Sequence, residues 1–176
     1  MHSSIHPLKA DGIYLRALEP EDLELLYEVE NDPANWLISS TVTPFSRDVL
    51  RQYLDNAHLD IYTTRQLRLV ICLDDNTAIG TIDLYDFDPQ HLRAGVGIIV
   101  KEEFRRRQGA AKALAVLETY CKDVLHLHQL FCTIQSTNGA SLVLFSKAGY
   151  TRVGTRLQWL RTADGWSDVV EMQKML

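Results

Sequence analysis

Val96 to Val124 reads VGIIV, then KEEFRRRQGAAKA, then LAVLETYCKDV. An apolar strand, a basic turn holding a glycine and an amphipathic helix therefore follow one another without a break. A strand that runs straight into a helix leaves the first helical N–H groups without intrahelical acceptors, and Gly109, Ala110 and Ala111 place no bulky side chain before them. The helix end carries roughly half a positive charge, worth about 0.3 to 1 kcal/mol for an anion near the surface. Arg105, Arg106, Arg107 and Lys112 add full charges beside it. The stretch reads as a phosphate cradle or as a solvated basic turn that starts a helix. The apolar run before it and the periodic Leu114, Leu117, Cys121 and Val124 after it favour the cradle.

Downstream, Leu130 to Ile134 is short and apolar, as a buried strand is, and Asn138 to Ala148 is helical with Gly149 as its stop. Thr151 to Leu160 and Trp166 to Met172 flank Ala163-Asp164-Gly165, which predicts a closing hairpin. Upstream, His91 to Val100 reads as a strand antiparallel to Ala78 to Phe87, which pairs in turn with Leu67 to Leu73 across Asp74-Asp75-Asn76-Thr77. Ser46 caps a helix reaching about Asn56, and Trp36 to Phe45 reads as irregular. Pro20 opens a helix that ends near Asn31-Asp32-Pro33, and Ile13 to Leu18 is the first strand. The order β-α-α-β-β-β-α-β-α-β-β is an α+β layout with a mixed sheet, in one domain spanning residues 1–176.

A net charge of -5 excludes a general nucleic-acid binder, since the basic residues gather mainly at 105 to 107 and suit a small polyanion. Cys72, Cys121 and Cys132 lie far apart within apolar segments, which suggests neither a disulfide framework nor a metal site but core residues in a reducing compartment. No apolar run approaches the ~20 residues of a membrane span, and the N-terminal MHSSIHPLKADG lacks a signal core. Cytoplasmic residence is the expectation.

The 105 to 112 segment, with Thr137-Asn138-Gly139-Ala140-Ser141 leading to Lys147-Ala148-Gly149-Tyr150, resembles the acetyl-CoA-binding segment and later helix of the GNAT superfamily of N-acetyltransferases. The resemblance runs from Gly12 to Met175 and is strongest to the branch of ribosomal-protein and spermidine N-acetyltransferases. It implies a mostly antiparallel sheet whose fourth and fifth strands splay apart, with acetyl-CoA as cosubstrate in the gap. The pantetheine arm would pair with backbone at Ile98, Ile99 and Val100, and the phosphates would meet residues 105 to 112, Gln108 included. Asn138 would contact the cofactor's amides, or serve only as the helix N-cap.

Acetyl transfer to an amine needs a neutral nitrogen lone pair, a polarised carbonyl and a proton for the departing thiolate. The resembling enzymes often carry an acid on the fourth strand and a tyrosine on the late helix; here those places hold Gly95 and Phe145. Asp83, Asp86 or His91 could take up the proton directly or through water, or Asp83 is a solvent-facing strand carboxylate and His91 a surface turn histidine. Asp83 and Asn138 are thus the catalytic candidates. Trp36, Asp83 and Tyr85 are the acceptor-site candidates, with core packing the alternative for Trp36. Glu28, Glu30 and Asp32 could attract a polyamine or form an exposed helical face. Two functions follow. One is an N-acetyltransferase acting on a protein α-amine first and on a polyamine or other small amine second, with a homodimer possible. The other is an acyl-CoA-binding module without transfer activity.

Overall fold

The computed structural model describes residues 8–39, 41–105 and 107–176. The N-terminal segment 1–7, part of the stretch read as free of a signal core, lies outside them. The strands are β1 (Lys9–Ala10), β2 (Ile13–Ala17), β3 (Leu67–Leu73), β4 (Ala78–Asp88), β5 (Arg93–Val100), β6 (Gln129–Gln135), β7 (Thr151–Thr162) and β8 (Gly165–Met175). The helices are α1 (Leu23–Asn31), α2 (Pro33–Ser39), α3 (Arg47–Asp55), α4 (Ile61–Thr64), α5 (Gly109–Asp123) and α6 (Gly139–Lys147). One sheet runs β1-β2-β3-β4-β5-β6-β8-β7, antiparallel throughout except where β5 meets β6. The expected mixed, mostly antiparallel α+β architecture is what the chain adopts.

The alternation of each strand divides the core. On one face, β-strand residues such as Ile71, Leu84 and Val96 pack with Ala113, Leu114, Leu117 and Cys121, which recur at helical spacing along α5. On the other, Leu25 and Val29 of α1 cover Val70 and Cys72. The β3–β4 turn is closed by Asn76, whose φ of 69° lies in the left-handed region that Asn tolerates. Among the described residues no helix is long and apolar enough to cross a membrane.

Trp36 corrects the sequence expectation, because it lies within α2 rather than in irregular chain. Asp32 and Pro33 end one helix and start the next: the Asp32 carboxylate accepts from Ala34 N–H at 2.9 Å, and Pro33 takes the first helical position, where its missing N–H costs nothing. The two-residue β1 and the single turn α4 are further elements that short-range periodicity does not reveal.

The feature that positions the site is the β5–β6 junction. The two parallel strands pair only over Arg93–Gln129, Ala94–Leu130 and Gly95–Phe131, and then part. These are the fourth and fifth strands of the sequence reading, and Val96 to Val100 is left with a free edge toward β6.

Candidate active site

A cleft of about 630 Å³ opens at that free edge, lined by Ile98, Ile99 and Val100 of β5, by Phe104, Arg105 and 108–111, and by α6. Gln108 turns the chain into α5 with a left-handed φ of 61°, and no side chain caps the helix. The first N–H of α5 to find a main-chain acceptor four residues back is that of Lys112, on Gln108 O at 3.0 Å. The amides of Gly109, Ala110 and Ala111 are left for a ligand, as an anion cradle requires. Gly109 is buried against the sheet, where a Cβ would sit 3.0 Å from Ile79 Cδ1.

Of the residues expected at the cofactor, Ile98, Ile99, Val100, Arg105, Gln108, Gly109, Ala110, Ala111 and Asn138 line this cleft. Arg105 also ties the turn to the strand, its Nε donating to Val100 O at 3.0 Å. Three expected residues stand elsewhere. Lys112 donates from Nζ to Asp11 O at 3.1 Å, because its position on α5 faces the β1–β2 turn. The Arg107 guanidinium lies 5.8 Å from the Phe104 ring centroid. Phe145 is buried, edge-on to Tyr150 at 4.9 Å, and lines a smaller neighbouring cavity instead. Arg106 lies outside the described residues.

That neighbouring cavity, of about 170 Å³, sits in the fork of β5 and β6 and shares Ile98, Asn138 and Ser141 with the main cleft. Through Cys132, Thr133 and Arg156 it adjoins a third, open cavity of about 660 Å³ bordered by Asp86, Asp88, Phe131 and Glu171. The three cavities therefore share lining residues in succession, from the β5 edge through the fork to a rim on which Asp88 pairs with Arg93, Glu171 pairs with Arg156 and Asp86 is an exposed carboxylate. Asn138 caps α6, its Oδ1 accepting from Ser141 N–H at 3.1 Å. Ser141 lines both inner cavities, and a serine hydroxyl can donate a hydrogen bond to a developing thiolate. The buried Cys132 and Cys121 are poor nucleophiles, since burial pushes each thiol up to about 12.

Of the proton-handling candidates, Asp83 is already engaged. Both Asp83 oxygens accept from Arg68, at 2.9 and 2.8 Å, and Arg68 also pairs with Glu30. Burial lowers the Arg68 pKa and Asp83, with Tyr53 and Glu30, raises it above its ordinary value, so the cation is permanent. Glu28 pairs with Lys101 at 2.9 Å, so the acidic group of α1 is spent on ion pairs and on the Asp32 cap. The His91 N–H donates to Asp88 Oδ1 at 3.0 Å, and His91 is exposed. Asp86 is an exposed carboxylate at a strand irregularity, with φ 48°. Trp36 is half-buried, its Nε1 donating to Glu30 O at 2.9 Å, and it borders none of the three cavities. Tyr150, the tyrosine nearest the late helix, is no substitute for one at Phe145. It faces the core beside Glu118, where burial first and that carboxylate second push its phenol up.

Sequence reasoning missed Ala140, Ser141, Val143, Leu144 and Lys147, which line the cleft along one helical face. Their spacing of three and four residues was the available signal. Ala34 and Asn35 of α2 carried none, because that helix itself was not expected.

Residues 13–151 match the acetyltransferase (GNAT) domain family. The spermidine N(1)-acetyltransferase of Escherichia coli K12 is 26% identical over 145 residues, covering 82% of this chain and 76% of that protein. An uncharacterized SPbeta prophage-derived N-acetyltransferase of Bacillus subtilis, YokL, is 22% identical over 158 residues, covering 90% and 86%. The crystal structure of the Vibrio cholerae spermidine N-acetyltransferase, in complex with CoA and spermine, superposes with a TM-score of 0.86 at 21% identity, covering 94% and 96%. The same Vibrio enzyme has a dodecameric structure, with a TM-score of 0.80 at 23% identity, covering 94% and 95%. With the uncapped helix, the free strand edge and the family match over most of its length, the chain belongs to the GNAT acetyltransferases and is an acetyl-CoA-dependent N-acetyltransferase.

Proposed function

We propose that the acceptor is a polyamine, with spermidine the first choice, and that the transfer takes place in the cytoplasm. The observation that carries the reading is the succession of adjoining cavities from the β5 edge through the fork to the exposed Asp86 carboxylate, beside the Asp88–Arg93 and Glu171–Arg156 pairs. The succession suits a flexible chain, and the Asp86 carboxylate at its outer end suits a distal ammonium. The relatives named for spermidine support the same class over the protein α-amine expected first. Three free, buried cysteines suit a reducing compartment. An assembly of several copies is part of the proposal, in line with the Vibrio neighbour.

In this reading the phosphates rest on the amides of 109–111 with Arg105 and Lys147 beside them, and the pantetheine arm pairs along Ile98 to Val100. Asn138 orients an amide of that arm. The amine attacks directly, and Ser141 hydrogen-bonds the departing thiolate. Water takes the amine's proton, because Arg68 holds both Asp83 oxygens. Neutralising an alkyl ammonium at pH 7 costs about 4 to 5 kcal/mol, so the rate should climb with pH toward the amine's own pKa.

The test is thiol release from acetyl-CoA with spermidine, spermine, putrescine, aminoglycosides and peptides bearing free N-termini. A kcat/KM for spermidine at least about tenfold above that for any peptide is expected, a difference of about 1.4 kcal/mol in transition-state binding. A peptide equal to or better than spermidine overturns the polyamine assignment.

A further inference from the structure

Tyr85 on β4 stands directly opposite Gly95 on β5. Its ring lies across that glycine: a Cβ at position 95 would fall 2.3 Å from Cε2 and 2.4 Å from Cζ. The ring then meets Phe131 on β6 edge-on, with centroids 5.8 Å apart and planes at 84°. Gly95 and Phe131 form the last pair before β5 and β6 separate, so the phenol bridges three strands at the root of the fork. Because Cζ bears the hydroxyl, the oxygen emerges past Gly95, beside Thr133. Thr133 lines both the fork cavity and the outer cavity, and Gly97, two residues along β5 from Gly95, leaves the fork's wall bare. Burial pushes the Tyr85 pKa up against the pull of hydrogen bonding from Thr133, which keeps the phenol neutral at physiological pH.

We propose that Tyr85 binds the acceptor: its hydroxyl accepts a hydrogen bond from an N–H of the attacking amine as the amine enters over Gly97, and so turns the nitrogen lone pair toward the thioester carbon. The proposal rests on the amine-acceptor reading above. In the step it serves, nitrogen bonds to the acetyl carbon, the carbon–sulfur bond breaks, the thiolate leaves and is protonated, and the amine's proton passes to water. A neutral phenol orients the amine without holding it as ammonium, which a carboxylate in the same place would do. Gly95 is part of the device, since any side chain there would push the ring off β5.

Steady-state kinetics of Tyr85→Phe separates this role from simple packing, because phenylalanine keeps the ring over Gly95 and against Phe131. With spermidine as acceptor, kcat/KM should fall about tenfold, while KM for acetyl-CoA and the melting temperature stay as in the wild type. A folded Tyr85→Phe protein with unchanged spermidine kcat/KM overturns the proposal. Gly95→Ala should lower the melting temperature by displacing the ring, and Tyr85→Ala in the same chain should restore it without restoring acceptor kcat/KM. Full activity of that double variant also overturns the proposal. Failure of the underlying reading looks different: the wild type itself then turns over no amine of the panel, and both proposals fall together. Where the wild type prefers another amine to spermidine, that amine is the probe for the same comparison.

Discussion

Among the described residues Asp22 is a carboxylate only 5% exposed, and it shows how a single charge is kept in a core. Arg16 grips it from two nitrogens at 2.7 and 2.8 Å, and the Glu19 N–H adds a third bond at 2.8 Å. Burial alone would raise its pKa; Arg16 and the Glu19 amide outweigh burial, so the folded value lies below the ordinary carboxylate value. A depressed folded pKa gives stability that is present above the unfolded pKa and lost as pH falls through the folded one. Asp22→Asn should therefore cost about 2 kcal/mol at pH 7. The gap should narrow as the wild type is acidified below about pH 4, which urea unfolding at pH 7 and pH 3 would read. Ser141 belongs to the same scale. Ser141→Ala should lower kcat by about tenfold with little change in acetyl-CoA affinity, as the loss of one donor to the leaving thiolate predicts. Single-turnover and binding measurements on the same preparation separate the two effects. The sequence names Asp83 as an acid near the site, but Arg68, which pairs with it and also with Glu30, comes from another strand and is invisible to local spacing.

At the scale of elements, the β4–β5 pair holds the cleft-lining strand in place. Gly80 makes this possible: a Cβ there would lie 2.1 Å from Ile99 O and 2.9 Å from Val100 Cα, both backbone atoms that cannot swing aside. Gly80→Ala should cost about 3 kcal/mol or more and lower the melting temperature by roughly 6 to 12 °C. Acetyl-CoA binding should weaken with it, because Ile99 and Val100 line the cleft. Thermal melts with and without cofactor would read both. The strand-turn-helix of 96 to 124 and the cap of α6 were legible beforehand, since apolar period, glycine and Asn138 are local signals. The start of α2 at Asp32-Pro33 was not, because the same two residues signal a helix end equally well.

The described residues form an eight-stranded sheet whose β5–β6 ladder is three residue pairs long, and the fork beyond it is a cleft between two strands. A ligand that fills it binds only the folded state. At about 100 times its Kd, acetyl-CoA should add about 2.7 kcal/mol, a rise in melting temperature of roughly 5 to 11 °C. A thermal shift below about 2 °C under those conditions would contradict the cleft assignment. The amino-acid sequence by itself determined the order of most strands and helices, the helix start at 109–111 and the family resemblance, because helical period, strand alternation and turn chemistry act over a few residues. Only the tertiary structure decided which side chains reach the cleft. It sent Lys112 to Asp11, 101 residues away, tied Asp83 to Arg68, laid Tyr85 over Gly95 and brought α6 against β5. Those outcomes depend on which distant strands become neighbours, and a side chain's partner is set by sheet order and register rather than by the residues beside it in the chain.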